Sequence, residues 1–159
     1  MKFICPLIVV KDVEQSKNFY ENVLKQKVKF DFGENVLFEG DFAIHLASHY
    51  QKLLGCDSKQ ILNKSNNFEL YFEADNLEEI YTKLKGEHVE FIHKVLEQPW
   101  GQKVIRFYDL DAHIIEIGEP MQTVVLRLAN TGLCVNEICT KTSMPAHFVE
   151  SILNAAKQT

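Results

Sequence analysis

One order of elements is written twice along this chain, and that repetition limits the folds open to it. The stretch from Cys5 to Val10 reads as a short apolar strand. Asp12 follows as a helix N-cap, with Gln15 three residues on completing a capping box. Val13, Phe19, Tyr20, Val23 and Leu24 then gather on one face of the helix that Asp12 opens. Three short strands are predicted next, at Val28 to Phe32, Asn35 to Glu39 and Phe42 to Ala47, with turns around Gly33 and Gly40. The second stretch repeats the order. Phe68 to Ala74 reads as a strand, and Asp75 caps a helix to about Leu84, with Glu78 at the capping-box position. Strands at Val89 to Glu97, Gln102 to Tyr108 and His113 to Gly118 complete it. The chain is therefore expected to be an α+β protein of two βαβββ modules, covering about residues 3–47 and 67–118. A short helix around Tyr50 to Leu54 lies in the polar stretch between them.

A chain of 159 residues suits one compact domain or two small halves. Its 46% hydrophobic and 25% charged residues match an ordinary globular protein. The net charge of −5 argues against a nucleic-acid binder, which usually carries a basic field. The apolar N-terminal run stops at Lys11-Asp12, too short to span a bilayer and without a cleavage signature. Cys5, Cys56, Cys134 and Cys139 form no CxxC pair, so neither a zinc knuckle nor a redox motif is supported. Reduced thiols and a cytoplasmic location are the expectation, with no membrane partner.

Beyond Glu119-Pro120 the character changes, and residues 120–159 form a separate helical tail. Helices are expected over Thr123 to Asn130 and Val135 to Lys141, with Gly132 as the C′ residue of the first. A third opens at Ser143-Met144-Pro145 and runs toward Lys157. The wording from Arg127 to Thr142 is similar to small helix-turn-helix segments. The helix that would read DNA, Ala146 to Ala156, carries no Arg or Lys with which to hold phosphate. A hairpin packed on the sheet or on a second subunit is the expected role.

Two phrases carry a resemblance. Val9-Val10-Lys11-Asp12-Val13-Glu14-Gln15-Ser16-Lys17-Asn18-Phe19-Tyr20 and the run from Trp100 to Glu116 look like those of the vicinal oxygen chelate superfamily of glyoxalases, bleomycin-resistance proteins and extradiol dioxygenases. The resemblance covers roughly residues 3 to 119. It implies that the two modules form a curled mixed sheet around a small-molecule cleft, and that the protein pairs as a homodimer. Apolar tail residues such as Leu126, Ile138 and Phe148 would offer that dimer further surface. The turn Asp109-Leu110-Asp111-Ala112 departs from the family's Asp-Pro-Asp-Gly, so a conformation that alanine tolerates is expected there.

Glyoxalase-like members place four metal ligands in the cleft, and the matching positions here are Cys5, His45, Glu69 and Glu116. Such a set could hold zinc, nickel or manganese, which would polarise a substrate oxygen as a Lewis acid. Glu69 or Glu116 would then act as the catalytic proton shuttle of an isomerase or lyase. Each residue has a plainer reading. Cys5 suits a small buried hydrophobe, His45 a core histidine, and Glu69 a solvated sheet face. Glu116, between Ile115 and Ile117, demands a partner wherever it is enclosed. Trp100, Tyr71, Arg106 and Tyr108 are the candidate ligand-binding side chains, Trp100 as an aromatic wall for planar compounds. Three functions follow: metal-assisted chemistry of glyoxalase type, metal-free sequestration of a planar or cationic compound in the manner of bleomycin-resistance proteins, or a ligand-responsive regulator that uses the helical tail.

Overall fold

A computed structural model describes residues 1–157. It resolves into two compact units. Among the described residues the first contains 1–69 and 108–114, and the second contains 70–107 and 115–157. Their sheets are built on the same plan, each from one leading strand and three that follow a helix.

In the first unit β1 (Leu7–Val10) leads through α1 (Val13–Asn22) to β2 (Val28–Asp31), β3 (Asn35–Phe38) and β4 (Ala43–Leu46). The sheet order is β1-β4-β3-β2, with β1 and β4 parallel and the other pairs antiparallel. Alternation sends Ile8, Val10, Val36, Phe38 and Ile44 to one face, where each is at most 5% exposed. Buried Val13, Phe19 and Tyr20 of α1 complete that core, with the Tyr20 ring 5.5 Å from Phe38 and 5.2 Å from Phe42. Asp12 caps α1 as expected. Its carboxylate accepts from the Gln15 amide at 2.9 Å and from the Gln15 side chain at 3.1 Å. The polar stretch after β4 folds into α2 (Ala47–Leu54) and a 3₁₀ turn at Ser58–Gln60.

The turn at Asp109 to His113 belongs to this unit and departs from expectation. Ala112 takes φ 66°, the left-handed region that glycine would occupy without strain. Asp109 holds it there, accepting from the backbone N–H groups of Asp111 at 3.0 Å and His113 at 2.8 Å. Its carboxylate also accepts from the buried Tyr20 hydroxyl at 2.8 Å, which fastens the turn to α1.

In the second unit the strands are β5 (Glu69–Glu73), β6 (Phe91–Glu97), β7 (Lys103–Tyr108) and β8 (Ile114–Gly118), in the order β5-β8-β7-β6. Between β5 and β6 lies α3 (Leu77–Gly86). Its N-cap is Asn76 and not Asp75: Asn76 accepts from the Glu79 amide at 3.2 Å and donates to the Glu79 carboxylate at 2.9 Å. The capping box thus sits one residue later than the sequence suggested, because Asn serves the cap as well as Asp and leaves Leu77 buried at the first helical position. Asp75 instead accepts from the Thr123 hydroxyl at 3.1 Å.

The tail forms α4 (Met121–Asn130), α5 (Val135–Thr142) and α6 (Ala146–Ala156), close to the predicted bounds, with Gly132 at φ 93° after α4. Val124, Val125, Leu128, Ile138 and Val149 build a core of their own, each at most 4% exposed. Ile138 is therefore spent within the tail and offers nothing to a second subunit. Among the described residues no helix is long and apolar enough to cross a membrane.

Candidate functional site

Strand alternation decides what the second sheet presents. In β5 Leu70 is buried while Glu69, Tyr71 and Glu73 are exposed. In β8 Ile115 and Ile117 turn to the opposite side from Glu116 and Gly118. A Cβ on Gly118 would lie 2.9 Å from Gln102 Nε2, 3.1 Å from Tyr71 Cε2 and 3.2 Å from Tyr71 Oη. The Tyr71 ring consequently lies across Gly118, on the face that carries Glu116, and it fits because residue 118 has no side chain.

A hydrogen-bonded row runs along this face. Trp100 Nε1 donates to Gln102 Oε1 at 3.0 Å. Gln102 Nε2 donates to Tyr71 Oη at 2.9 Å and to the Glu119 carbonyl at 2.7 Å. Tyr71 Oη in turn donates to Glu73 Oε1 at 3.0 Å. An indole N–H can only donate, so it fixes which end of the Gln102 amide is the acceptor. Burial raises the Tyr71 pKa, with Gln102 opposing and Glu73 adding to the rise, so the hydroxyl stays protonated and able to donate. The row holds two aromatic side chains in set orientations while leaving both partly open to solvent: Tyr71 is 46% exposed and Trp100 38%.

Arg106 and Glu116 meet on the same sheet. The Arg106 guanidinium pairs with the Glu116 carboxylate, and Arg106 Nη1 lies 3.4 Å from His93 Nε2, its cross-strand neighbour on β6. Glu116 is 5% exposed, so its charge needs compensation, and Arg106 supplies it.

In the first unit His45 is buried on β4, in register with Val9 of β1 and Asn35 of β3. Its Nδ1 lies 3.2 Å from Asn35 Nδ2 and its Nε2 lies 2.9 Å from Nδ1 of His49, on α2. Desolvation, with the His49 ring beside it, lowers the His45 pKa and favours the neutral imidazole. Cys5 is half-buried just before β1, and Glu69 is exposed at the start of β5. Tyr108 is buried, its hydroxyl donating to Asn66 at 2.8 Å and its ring covered by the Lys64 ammonium at 4.5 Å.

The structure thus joins Tyr71 to Trp100 and Arg106 to Glu116. Among the described residues no three His, Cys, Asp or Glu side chains converge to hold a metal ion. Both nitrogens of His45 have protein partners, and the Glu116 carboxylate is engaged by a guanidinium. As these side chains stand, the donor set does not fit a divalent metal. The residues that sequence reading missed are ones that join the others: Gln102, His93, Asn35 and His49. Two of them left a sequence signal. His49 follows His45 by four residues, and Gln102 follows Trp100 by two across a glycine.

A family model of glyoxalase-like domains matches residues 3–122. No curated protein matches the chain. Among solved structures, a protein of unknown function from Agrobacterium tumefaciens is 40% identical with a TM-score of 0.66, covering 76% of this chain and 94% of that one. A glyoxalase/bleomycin resistance protein/dioxygenase from Nocardioides is 21% identical with a TM-score of 0.57, covering 75% and 83%. A lactoylglutathione lyase from Agrobacterium tumefaciens is 17% identical with a TM-score of 0.57, covering 76% and 94%. The last two likenesses show the shared fold, and the extent of the family match settles kinship: this chain belongs to the glyoxalase-like family of the vicinal oxygen chelate superfamily.

Proposed function

We propose that this protein binds a planar, cationic small molecule on the open face of its second sheet, without a metal, as a sequestering protein. The observation that carries this reading is the row Trp100–Gln102–Tyr71–Glu73. It presents two partly open aromatic rings already fixed by hydrogen bonds, with the exposed carboxylate of Glu73 beside Tyr71. An aromatic face attracts a cation, and an adjacent carboxylate adds to that attraction. Rings held in place before binding lose little freedom when the ligand arrives. The one guanidinium of β7, Arg106, is matched by Glu116 and does not repel a cation. Glu116 here holds Arg106, and Glu73 draws the ligand's charge. We further infer that the protein acts as a homodimer, as its superfamily implies.

The test is titration with a planar aromatic cation, acridine orange, followed by calorimetry, alongside elemental analysis of the purified protein. Saturable binding is expected, indifferent to added zinc, nickel or manganese and weakened about tenfold by Tyr71→Ala, equivalent to ~1.4 kcal/mol. A near-stoichiometric divalent ion that disappears in Glu116→Gln would overturn the metal-free reading and restore the enzyme one. Absence of saturable binding by this and other aromatic cations would overturn the ligand class.

A further inference from the structure

The helical tail reaches back to the turn that carries Trp100. On α4, Val124, Arg127 and Leu128 share one face by their spacing. Arg127 Nη2 donates to the Gly101 carbonyl at 2.5 Å and to Glu119 Oε2 at 2.7 Å. The same Glu119 oxygen accepts from the Lys103 backbone N–H at 2.9 Å, and the Glu119 carbonyl accepts from the Gln102 amide at 2.7 Å. Residues 101, 102 and 103 are therefore held in succession by half-buried Arg127 and buried Glu119: at a carbonyl by the guanidinium, at a side chain by the Glu119 carbonyl and at an amide by its carboxylate.

A second observation, independent of these bonds, is the closeness of the tail to the turn. Gly101 has φ 86°, and a Cβ there would meet Lys141 Cε at 3.0 Å, Leu128 Cδ1 at 3.4 Å and Val124 Cγ1 at 3.6 Å. Glu97, on the strand entering the turn, is held by Lys141 at 3.1 Å and Arg127 at 3.4 Å. Arg127 lies beyond residue 122, where the family match ends.

We propose that Arg127 is a positioning residue for the binding face, and that the helical tail sets the orientation of Trp100 and Gln102. The planar guanidinium is suited to this, because one nitrogen can donate to two acceptors whose directions differ. Loss of the fork frees the Gly101 carbonyl and leaves Glu119 with one partner fewer. The turn that carries Trp100 then keeps its bonds to Glu119 at Gln102 and Lys103 but loses, at Gly101, its only hydrogen bond to α4 among the described residues. The effect on ligand affinity rests on the binding reading above; the effect on Trp100 does not.

Trp100 is the only tryptophan of the chain, so its fluorescence reports the turn directly. Arg127→Met keeps the length of the side chain and removes the fork, and Arg127→Lys keeps the charge alone. Expected in Arg127→Met are a red-shifted emission, about twofold stronger quenching by acrylamide, and acridine orange affinity lowered about tenfold. Arg127→Lys should recover only part of each change, and Lys141→Met, which spares the Gly101 bond, should leave emission unaltered. Unchanged emission and quenching in folded Arg127→Met would overturn the proposal. If that variant does not fold, Glu119→Gln is read in its place. It keeps the shape and removes the charge that holds Arg127, and an unaltered Trp100 would overturn the proposal there too. A shifted emission with unaltered dye affinity would uphold the positioning of the turn and overturn this face as the binding site.

Discussion

Single atoms decide what the binding face can hold. Gly118 leaves the space that Tyr71 fills, and a methyl group there would lie 2.9 Å from Gln102 Nε2. Gln102 cannot swing aside cheaply, since it is buried and both ends of its amide are engaged. Gly118→Ala should therefore cost about 1–3 kcal/mol in chemical denaturation and shift Trp100 emission, as overpacking at a fixed network does. A variant as stable as wild type would mean that the row is looser than its distances state. His45 gives a second residue-scale prediction. Its pKa in the folded protein lies below the ordinary 6.5, so the unfolded chain binds the proton more readily. Stability is then full above about pH 6.5 and declines as pH falls through the depressed value. The groups that face His45 are Asn35, His49 and the Tyr50 ring, with the Glu34 charge nearby acting in the opposite sense. Melting temperatures measured from pH 8 downward should drop less in His45→Gln than in wild type, and parallel curves would remove His45 as the cause.

At the scale of elements, the turn at Asp109 shows what the sequence could and could not tell. Patterns that depend on periodicity or on one capping residue were legible. Every strand and helix of both modules was foreseen, with bounds that shifted by one to three residues where the ends fray. The conformation of Ala112 was not legible, because an alanine in place of glycine suggests an ordinary turn, while the backbone bonds that Asp109 collects hold it left-handed. The cap of α3 moved from Asp75 to Asn76 for a similar reason: two adjacent residues could both serve, and only the burial of Leu77 chooses between them. The candidate site was half legible. Tyr71, Trp100, Arg106 and Glu116 could be picked by type and alternation, but the pairing of Glu116 with Arg106 depends on which strands are neighbours. Sequence spacing does not contain that. The strain at Ala112 yields a prediction. Ala112→Gly removes a left-handed penalty of roughly 1–2 kcal/mol and, after about 0.5–1 kcal/mol for the extra freedom of the unfolded glycine, should raise stability by about 0.5–1 kcal/mol. Denaturant midpoints compare the two directly, and a lower midpoint for the glycine variant would show that Asp109 relieves the strain fully.

At the scale of the whole molecule, the first sheet has a face that calls for a partner. The registers place Leu7 beside Ala43, Ala43 beside Leu37 and Leu37 beside Phe30, an apolar row across all four strands on the side opposite Ile8 and Ile44. Leu7 and Phe30 of that row are 39% and 53% exposed. Phe32, its ring stacked 6.0 Å from Phe30, is 67% exposed. Large apolar side chains clustered in this way mark an interaction surface more often than they stay in water. Ile138 does not provide the alternative, since it is consumed by the core of α4, α5 and α6. A second copy of the chain is the partner that the dimer reading supplies, and a symmetric contact would let one such row cover another. Sedimentation velocity at micromolar concentration should therefore find a dimer. Phe30→Asp, which places a charge at the β2 end of that row without touching the core side of the sheet, should shift the population to monomer at unchanged secondary structure. A monomeric wild type, or a dimer indifferent to the aspartate, would place the contact elsewhere and leave the exposed phenylalanines to a different ligand or partner.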